Sequence, residues 1–395
     1  MSSEQSVLIY RDDLLPASET FIPSQAESLG HFCPRYVGLR RLPSLPLPES
    51  RVHLIGRNGI LGRLQRARFK LLGPSQRVLQ NLANEHPVLI HAHFALDGCN
   101  AMSIARALAL PLIVTFHGYD LTVNDRHHPL LFRMRRGLLM RTGSRFLCVS
   151  DFVRRRALAK GFPPETTLVH YTGIDVDFFS PDPCIPRMPV VLFVGRLVPV
   201  KGCEYLVRAM ADIQVAAPDA KLIVIGDGVL RGKLERQASS SVKNFTFLGF
   251  QDAVAVRAWM NRATVFCTPS VPVESGATEA FGMVFAEAQA MGLPVVSFAS
   301  GGIPEAVADG QTGFLVGEGN WQALGNKILL LLHNRELWTQ ISKAGQIRTR
   351  SMFNIRKQSL ALENIYRQVL QEWNSSSRTV AAQRLVSCDW SQVHA

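Results

Sequence analysis

The sequence predicts an α/β protein of two domains, each built around a parallel β-sheet. Short apolar runs alternate with helical patterns along the chain, and strand, helix and strand repeated in this order form parallel sheets. The run PDPCIPRMP at 181–189 has four prolines in nine residues, so it cannot form a helix or a central strand. It divides a chain of 395 residues into halves that are each long enough to bury a core.

The apolar runs fall on both sides of this proline-rich linker. They are SVLIY (6–10), PVLIHAHF (87–94), PLIVTFH (111–117) and RFLCVS (145–150) in the first half, and VVLFVG, KLIVIG, FTFLG, TVFCTPS and PVVSF in the second. We therefore predict a first domain over residues 1–183, a linker over 184–189 and a second domain over 190–352. A helical pattern follows over 353–373, and the polar tail, 374–395, is expected to be loose.

Cysteine usage and the N-terminal sequence suggest where the protein acts. The seven cysteines are scattered and include no Cys-x-x-Cys pair, so neither a disulfide framework nor a zinc site is expected. The N-terminus lacks a basic segment followed by a long apolar run, and no stretch of about 18 uncharged apolar residues occurs. We expect a cytoplasmic protein, peripheral on the inner face of the cell membrane, with neither signal peptide nor spanning helix.

The formal net charge is +12, and much of it lies in the first half of the chain. Basic residues alternate there with leucine and phenylalanine in three clusters: Arg57, Arg63, Arg66, Arg68 and Lys70; Arg133, Arg135, Arg136, Arg141 and Arg145; and Arg154 to Arg156. Such segments suit an anionic membrane surface, where each basic residue gains about 1 kcal/mol. Ordinary solvated helix faces are the alternative. Nucleic acid is not an expected partner, because no nucleic-acid-binding motif accompanies the charge.

A phosphate-binding helix start is predicted near Gly282. FAEAQAM (285–291) predicts a helix, and the apolar run PVVSF (294–298) predicts a buried parallel strand after it. Three residues then fall at the helix N-terminus: Phe281, Gly282 and Met283. Free backbone N–H groups and the positive end of the helix dipole favour a phosphate at such a position.

Two carboxylates, Glu279 and Glu287, flank this helix start. If residues 279–287 were all helical, the two side chains would be about 80° apart around the axis and would not share a face. A break between loop and helix at 280–282 is therefore needed for both carboxylates to face one ligand.

Two basic residues follow a buried strand of the second domain. Arg196 and Lys201 come directly after VVLFVG, on a loop at the carboxyl end of the strand, where open α/β sheets bind ligands. A charge-assisted hydrogen bond from such a side chain to an anion contributes about 1.5 to 3 kcal/mol. The alternative for Lys201 is a plain helix-start residue before Gly202.

The spacing of Glu279 and Glu287 resembles the Glu-x7-Glu signature of retaining glycosyltransferases of family four, whose GT-B fold sets two Rossmann-like domains across a cleft. Other blocks resemble the same family in the same order: VVLFVGRLVPVKG (190–202), LIVIGDGVLR (222–231), FLGF (247–250), GGIPEAV (301–307) and DGQTGFLV (309–316). The first half resembles it more loosely, through HAHFALDG (91–98), TFHGYD (115–120), CVSDFVRRR (148–156) and TGIDVDFFSP (172–181). The resemblance implies a GT-B protein with parallel sheets facing an interdomain cleft.

The resemblance also implies a donor site in the second domain, formed by Arg196, Lys201, Glu279, Phe281, Gly282, Met283, Val284 and Glu287. Arg196 and Lys201 would meet the diphosphate of the donor. Glu279 would hold the hydroxyls of the sugar, and Glu287 those of the ribose. His117, at the end of a first-domain strand, would face the cleft from the other side and touch the donor sugar or its β-phosphate. The candidate catalytic residues are accordingly His117, Arg196, Lys201 and Glu279.

The segment after the first strand, RDDLLPASETFI (11–22), departs from the family. Many relatives have a Gly-Gly loop beside the donor phosphate here, and this chain has none. The sequence SETFI (18–22) resembles sequences found in bacterial exopolysaccharide and lipopolysaccharide enzymes of the family. Ser18, Glu19 and Thr20 are therefore candidates to contact the donor or the acceptor.

No metal ion or other cofactor is expected. His91 and His93 lie on one face of a strand, but no carboxylate or cysteine with ligand spacing follows them, so structural roles are preferred. Asp175 and Asp177 form an Asp-x-Asp pair, which binds a metal in other glycosyltransferases. In the family pattern this segment closes the first domain, and the resemblance implies a structural role.

The expected activity is transfer of a hexose from a UDP- or GDP-linked sugar to a cell-surface glycan, carried on a polyprenyl or other lipid. Two alternatives remain: a nucleotide-sugar epimerase or phosphorylase on the same fold, and a non-catalytic partner in a polysaccharide assembly complex. A glycoside hydrolase that used Glu279 and Glu287 as acid and nucleophile is disfavoured. A neutral glycoside would have no use for Arg196 and Lys201.

Overall fold

The computed structural model describes residues 5–14, 16, 19–42, 47–56 and 59–389. Its strands are β1 (Gln5–Tyr10), β2 (Asp13–Leu14), β3 (Phe32–Gly38), β4 (Arg40–Arg41), β5 (Val52–Leu54), β6 (Pro87–His93), β7 (Leu112–Phe116), β8 (Arg145–Cys148), β9 (Thr167–Val169), β10 (Val190–Val194), β11 (Lys221–Ile225), β12 (Phe245–Gly249), β13 (Val265–Cys267), β14 (Val295–Phe298) and β15 (Gly313–Val316). Its helices are α1 (Phe21–Glu27), α2 (Gly59–Leu72), α3 (Gln76–Ala83), α4 (Ala95–Ala107), α5 (Tyr119–Thr122), α6 (Leu130–Thr142), α7 (Asp151–Ala159), α8 (Cys203–Ala216), α9 (Arg231–Ser241), α10 (Ala253–Arg262), α11 (Met283–Ala290), α12 (Ile303–Ala306), α13 (Trp321–His333), α14 (Arg335–Met352) and α15 (Ile355–Asp389).

The strands form two main sheets, one in each half of the chain. The first has the order β5-β3-β1-β6-β7-β8-β9, and the second has the order β12-β11-β10-β13-β14-β15. The pairings within both sheets are parallel. The predicted α/β architecture with two parallel sheets is therefore confirmed.

Helices cover both faces of the first sheet. On β1, Leu8 belongs to the apolar cluster that contains Phe69 of α2 and Leu139 of α6. The adjacent residue, Val7, belongs to a separate cluster that contains Leu362 of α15. Successive strand residues point to opposite faces, so α2 and α6 lie on one side of the sheet and α15 on the other. Each fully buried aliphatic side chain stabilises this arrangement by about 1.5 to 3 kcal/mol.

The last helix, α15, returns from the second half of the chain to the first sheet. Glu363 accepts hydrogen bonds from the backbone N–H groups of Gly30 and His31 at 2.6 and 2.7 Å. Tyr366 is fully buried and its ring packs edge-on against Phe32. The helix then continues to Asp389, so the expectation of a loose tail is wrong over residues 374–389. That stretch contains no glycine or proline that would end a helix.

The proline-rich linker has no helix or strand of its own and is held by the second half of the chain. Arg187 donates hydrogen bonds to the backbone carbonyls of Met260, Ala263 and Met291. Its guanidinium also lies over the ring of Trp338. Arg187 therefore attaches the linker to the ends of α10 and α11.

The two halves of the chain contact each other through polar groups. The hydroxyl of Ser150 donates to the carbonyl of Ala280 at 2.6 Å. The carboxylate of Glu305 accepts from the N–H groups of Asp151 and Phe152, at 2.6 and 2.8 Å. These N–H groups begin α7, so a carboxylate from the second domain caps a helix of the first.

No helix within the described part of the chain has both the length and the apolar character needed to cross a bilayer.

Candidate functional site

The second-domain side of the site contains an ion pair between the loops that follow two strands. Lys201 follows β10 and donates from Nζ to Oε2 of Glu279 at 2.5 Å. The hydroxyl of Ser270, which follows β13, lies 3.3 Å from the same oxygen. The fold thus brings together two of the candidate catalytic residues, 78 positions apart in sequence.

The helix start at Gly282 has the geometry that the sequence predicts. Residues 279–282 are not helical, and α11 begins at Met283. Gly282 has a φ of +80°, and a Cβ there would lie 2.5 Å from the ring of Phe285, so the turn requires glycine. The carbonyl of Glu279 accepts from the N–H of Gly302 at 2.9 Å, which fixes the loop before the helix.

Other predicted donor residues occupy different environments. Arg196 is exposed on the loop after β10, and no contact to the Lys201–Glu279 pair is found for it among the described residues. The ring of Phe281 is buried against Tyr171 and Phe353, so only its backbone is available to a ligand. The side chains of Met283 and Val284 are partly buried.

Glu287 lies one turn into α11, on a helix that is otherwise mostly buried. No hydrogen bond or ion pair to its carboxyl group is found within the described part of the chain. Loss of hydration raises the pKa of Glu287 to about 7. A partly desolvated carboxyl group of this kind is suited to pair with hydroxyl donors of a ligand.

The first-domain side of the site is centred on His117, which directly follows β7. Its ring lies 4.7 Å from Phe21, 4.8 Å from Phe94 and 5.2 Å from His93, measured between centroids. Burial lowers the pKa of His117 to about 3, with smaller electrostatic contributions from His91 and Arg11. His117 is therefore neutral at ordinary pH.

Gly118, the residue after His117, packs directly against the second domain. A Cβ on Gly118 would lie 2.3 Å from the Cβ of Ala280, which directly follows Glu279. His117 and the Lys201–Glu279 pair thus lie on opposite sides of one close domain contact.

Asp120, which the sequence pattern did not single out, connects the turn after β6 to the turn after β7. One oxygen of its carboxylate accepts from Ala95 N–H at 2.8 Å and the other from Gly118 N–H at 3.1 Å. Phe94, directly before Ala95 in the first of these turns, has a φ of +71°, an uncommon conformation for a bulky residue. The position of Asp120, two residues after Gly118 in TFHGYD, is the sequence signal that could have identified it.

The N-terminal segment is organised by Arg11, another residue that the sequence pattern did not single out. Arg11 donates to both carboxylate oxygens of Glu19 at 2.9 Å and to Asp97 at 2.6 Å, and its guanidinium lies over Phe94. Both oxygens of Glu19, a candidate ligand contact, are therefore engaged within the protein. Thr20 is exposed at the start of α1, and Ser18 lies outside the described residues.

Three of the residues considered for a metal site have structural partners. The ring of His91 bonds Tyr366 Oη and Thr115 Oγ1, each at 2.7 Å. Asp175 accepts from the N–H groups of Asp177 and Phe178, and Asp177 pairs with Arg356. Among the described side chains, no group of three or more His, Cys, Asp or Glu residues is arranged to hold a metal ion.

A second surface of the first domain combines basic and apolar side chains. On α2 the exposed apolar residues are Ile60, Leu61, Leu64, Leu71 and Leu72, and on α6 they are Leu130, Met134 and Leu138. Arg63 and Arg68 are exposed beside the first group, and Arg133 beside the second. Other predicted cluster members have internal partners: Arg136 pairs with Asp125. Arg57 lies outside the described residues.

Comparison with known families covers most of the chain. Residues 32–178 match the sequence profile described as Glycosyltransferase Family 4, and residues 183–348 match the profile described as Glycosyl transferases group 1. Among similar proteins, phosphatidyl-myo-inositol mannosyltransferase of Mycobacterium leprae is 29% identical over 77% of this chain and 80% of its own length. A putative colanic acid biosynthesis glycosyltransferase, WcaL of Salmonella typhimurium, is 30% identical over 60% of this chain and 59% of its own length. A GDP-mannose-dependent mannosyltransferase of Mycolicibacterium smegmatis is 37% identical, over 42% of this chain and 47% of its own length.

Similar solved structures confirm the fold. HepE of Anabaena, in complex with UDP-glucose, has a TM-score of 0.75 at 21% identity and covers 92% of this chain and 99% of its own. Sucrose-phosphate synthase of Thermosynechococcus elongatus has a TM-score of 0.73 at 20% identity and covers 93% and 100%. The predicted GT-B fold is therefore confirmed.

Proposed function

We propose that this chain, which belongs to glycosyltransferase family 4, transfers a hexose from a UDP- or GDP-linked sugar to a lipid-linked exopolysaccharide or lipopolysaccharide intermediate. The observation that carries the proposal is the Lys201–Glu279 pair at the start of α11, opposite His117 across the domain contact. It offers a cation, a carboxylate and free helix N–H groups at one place, which are the groups that a diphosphate sugar needs.

The donor diphosphate would be held by positive groups of the second domain. The N–H groups that begin α11 and the ammonium group of Lys201 favour an anion at this point, and Arg196 adds a further charge from the loop after β10. As the nucleotide leaves, its phosphate gains negative charge, so these contacts stabilise the transition state more than the ground state. We propose that the reaction needs no metal ion.

The carboxylates would hold the hydroxyl groups of the donor. In this proposal Glu279 holds the hydroxyls of the sugar ring, and Glu287, one turn into α11, holds those of the ribose. Because Glu279 is hydrogen-bonded to Lys201, its carboxylate is already oriented, which lowers the ordering cost of binding the sugar.

We propose that the sugar is transferred with retention of anomeric configuration. The bond between the anomeric carbon and the β-phosphate oxygen breaks, and the acceptor oxygen forms its bond on the same face. The acceptor hydroxyl proton passes to the departing phosphate, so no protein nucleophile is required. His117 is neutral and therefore serves as a hydrogen-bond partner rather than as an acid.

The basic and apolar surface on α2 and α6 would dock the first domain on an anionic membrane at its cytoplasmic face. Both helices cover the same side of the first sheet, so their exposed residues can meet one plane. Exposed leucines beside arginines combine apolar insertion with attraction to lipid phosphates. This position would bring a lipid-linked acceptor to the domain that is expected to bind it.

The proposal can be tested with purified protein, candidate UDP- and GDP-hexoses and lipid-linked acceptors. A thermal-shift screen first identifies the nucleotide, because a ligand at 100 times its dissociation constant adds about 2.7 kcal/mol. Transfer should then yield a free nucleoside diphosphate and a glycan extended by one hexose. An epimerised sugar nucleotide with no extended glycan would instead support the epimerase alternative. No turnover with any donor that binds would favour a non-catalytic partner.

A further inference from the structure

One hydrogen bond of the first domain connects the proposed site to a buried stack of histidines. Nδ1 of His93, the last residue of β6, lies 3.0 Å from Nε2 of His117, directly after β7. His93 is 2% exposed, and its ring stacks on His91 at 4.5 Å between centroids. Burial lowers the pKa of both His93 and His117, so two neutral rings share one proton between these nitrogens.

The direction of this hydrogen bond decides what His117 can offer a ligand. A neutral imidazole carries a proton on one nitrogen only. If His93 Nδ1 donates, Nε2 of His117 accepts and its proton must be on Nδ1. If the bond runs the other way, Nδ1 of His117 presents a lone pair. Nδ1 makes no hydrogen bond to any described residue, and His117 is only partly buried, so this nitrogen is available to a ligand.

The proposed donor is an anion whose phosphate oxygens accept hydrogen bonds and donate none. A lone pair on His117 would repel such an oxygen, whereas an N–H would bind it. Resting on the proposed function, we propose that His93 is a positioning residue, which donates Nδ1–H to His117 and so fixes His117 as the Nδ1–H tautomer facing the donor.

The surroundings hold both rings in the orientation that this bond needs. His91, beneath His93, is anchored at both nitrogens by Tyr366 and Thr115. Tyr366 belongs to α15, so the C-terminal helix supports the stack from outside the first domain. On the other side His117 is enclosed by Phe21 and Phe94. With the rings fixed, the proton position is the remaining variable.

A matched pair of amide substitutions separates donation from packing. In His93→Asn the side-chain amide reaches about the position of Nδ1 and can still donate to His117. In His93→Gln the amide reaches toward Nε2 and leaves the Nδ1 position without a donor. We expect His93→Asn to keep kcat/KM within a few-fold of wild type and His93→Gln to lose about 10- to 100-fold, by analogy with the partners that orient metal-binding histidines. Equal losses in the two variants would overturn the proposal.

The tautomer can be read without any turnover. In ¹⁵N-histidine-labelled protein, protonated and bare ring nitrogens of neutral histidine give separate resonances, and His117→Asn assigns the signal. Wild type should show His117 protonated on Nδ1, in agreement with the direction proposed. A proton on Nε2 of His117 would overturn the inference. If His117 is protonated on Nδ1 and no sugar nucleotide is turned over, the tautomer assignment stands and the proposed function fails.

His93→Asp provides a pH-dependent readout. A carboxylate can only accept, so it should move the His117 proton to Nε2 and raise the pKa of His117 toward its ordinary value against the opposing effects of His91 and Arg11. A new ionisation of His117 should then appear between pH 5 and 8 in an NMR titration, with thermal unfolding confirming the fold. If His93→Asp does not fold, the comparison of His93→Asn with His93→Gln decides the question alone. A folded His93→Asp whose His117 tautomer and titration match wild type would overturn the proposal.

Discussion

Gly118 and Ala280 face each other across the two domains at a distance that leaves no room for a side chain on Gly118. A Cβ there would lie 2.3 Å from the Cβ of Ala280, and the φ of Gly118 is +113°. These residues flank His117 and Glu279, so the same contact sets the distance between the two sides of the proposed site.

Gly118→Ala should therefore push the domains apart and lower transfer. The backbone conformation alone costs an alanine about 1 to 3 kcal/mol. Thermal unfolding and small-angle scattering would report the loss of stability and the opening. Ala280→Gly is the matched control, since it removes the opposing Cβ. The double variant should regain the domain contact but keep the backbone strain. A Gly118→Ala protein with wild-type turnover and scattering would show that the contact does not control the site.

Lys201→Ala and Arg196→Ala should each lower kcat by about 100-fold or more, by analogy with the loss of one preorganised donor to a developing anion. Turnover of the sugar nucleotide by purified variants is the measurement. Lys233→Ala is a suitable control, because this exposed lysine also pairs with a glutamate, Glu204, but is not part of the proposed site. Near-normal turnover in either site variant would remove that residue from the mechanism.

Nucleotide affinity should rise with pH because of Glu287. Its pKa is raised to about 7, and the ionised carboxylate accepts hydrogen bonds from the ribose hydroxyls more strongly than the neutral acid does. If binding needs that form, affinity should increase about ten-fold between pH 6 and pH 8. Calorimetry with the preferred nucleoside diphosphate would measure it. In Glu287→Gln this part of the pH dependence of affinity should vanish. What remains is the ionisation of the phosphate and of Asp97 and Asp120, whose pKa values are also raised by burial.

The raised pKa of Glu287 also has a consequence for folding. The unfolded chain ionises this group from about its ordinary pKa of 4.5, but the folded chain ionises it only near 7. The unfolded state thus binds fewer protons in this range, and the contribution of Glu287 to stability falls as pH rises from 4.5 through 7. Glu287→Gln should be more stable than wild type at pH 8, with little difference at pH 4. The opposite order at pH 8 would contradict the desolvation of this carboxyl group.

Transfer should persist in excess chelator and should retain the anomeric configuration of the donor. The charges proposed to meet the diphosphate are Lys201, Arg196 and the start of α11 rather than a cation. Turnover with and without EDTA, and NMR of the product anomer, test the two statements separately. If EDTA abolishes turnover and magnesium or manganese restores it, the reaction needs a metal ion and Asp175 and Asp177 become candidate ligands. An inverted product would exclude the same-face mechanism.

Replacing Arg63 and Arg68 together by glutamine should weaken binding to anionic vesicles and transfer to a lipid-linked acceptor. Exposed charges are screened over about 10 Å at 0.1 M salt, so wild-type binding should also fall steeply as salt increases. Slow hydrolysis of the donor should remain nearly unchanged, because the proposed donor-binding groups other than His117 lie in the other domain, and His117 lies after β7 and not on α2.

Changing Arg236 and Arg350 to glutamine provides a control with the same loss of charge, as both are exposed in the second half of the chain. If the two double variants weaken vesicle binding equally, binding depends on the net charge of the protein and not on the surface of α2. Unchanged vesicle binding in the Arg63 and Arg68 variant would show that these arginines belong to an ordinary solvated helix face.

The sequence alone determined those features that depend on local order. Apolar runs separated by helical patterns are enough to predict parallel strands, and Gly282 before FAEAQAM is enough to place the break ahead of α11. The position of Arg196 and Lys201 at a strand end followed from the same pattern. The extension of α15 to Asp389 was missed, because polar composition suggested a loose tail where no residue actually breaks the helix.

Only the tertiary structure decided which distant groups meet. The pairing of Lys201 with Glu279, the contact of Gly118 with Ala280, and the bond between His93 and His117 join residues from separate strands and loops, and in one case from separate domains. Their partners depend on sheet order and domain approach, which hydrophobic patterning does not encode. The same holds for Glu19, whose carboxylate is held by Arg11, and for the pKa of His117, which is set by burial. Local sequence specifies each element, and the long-range packing of those elements specifies the chemistry between them.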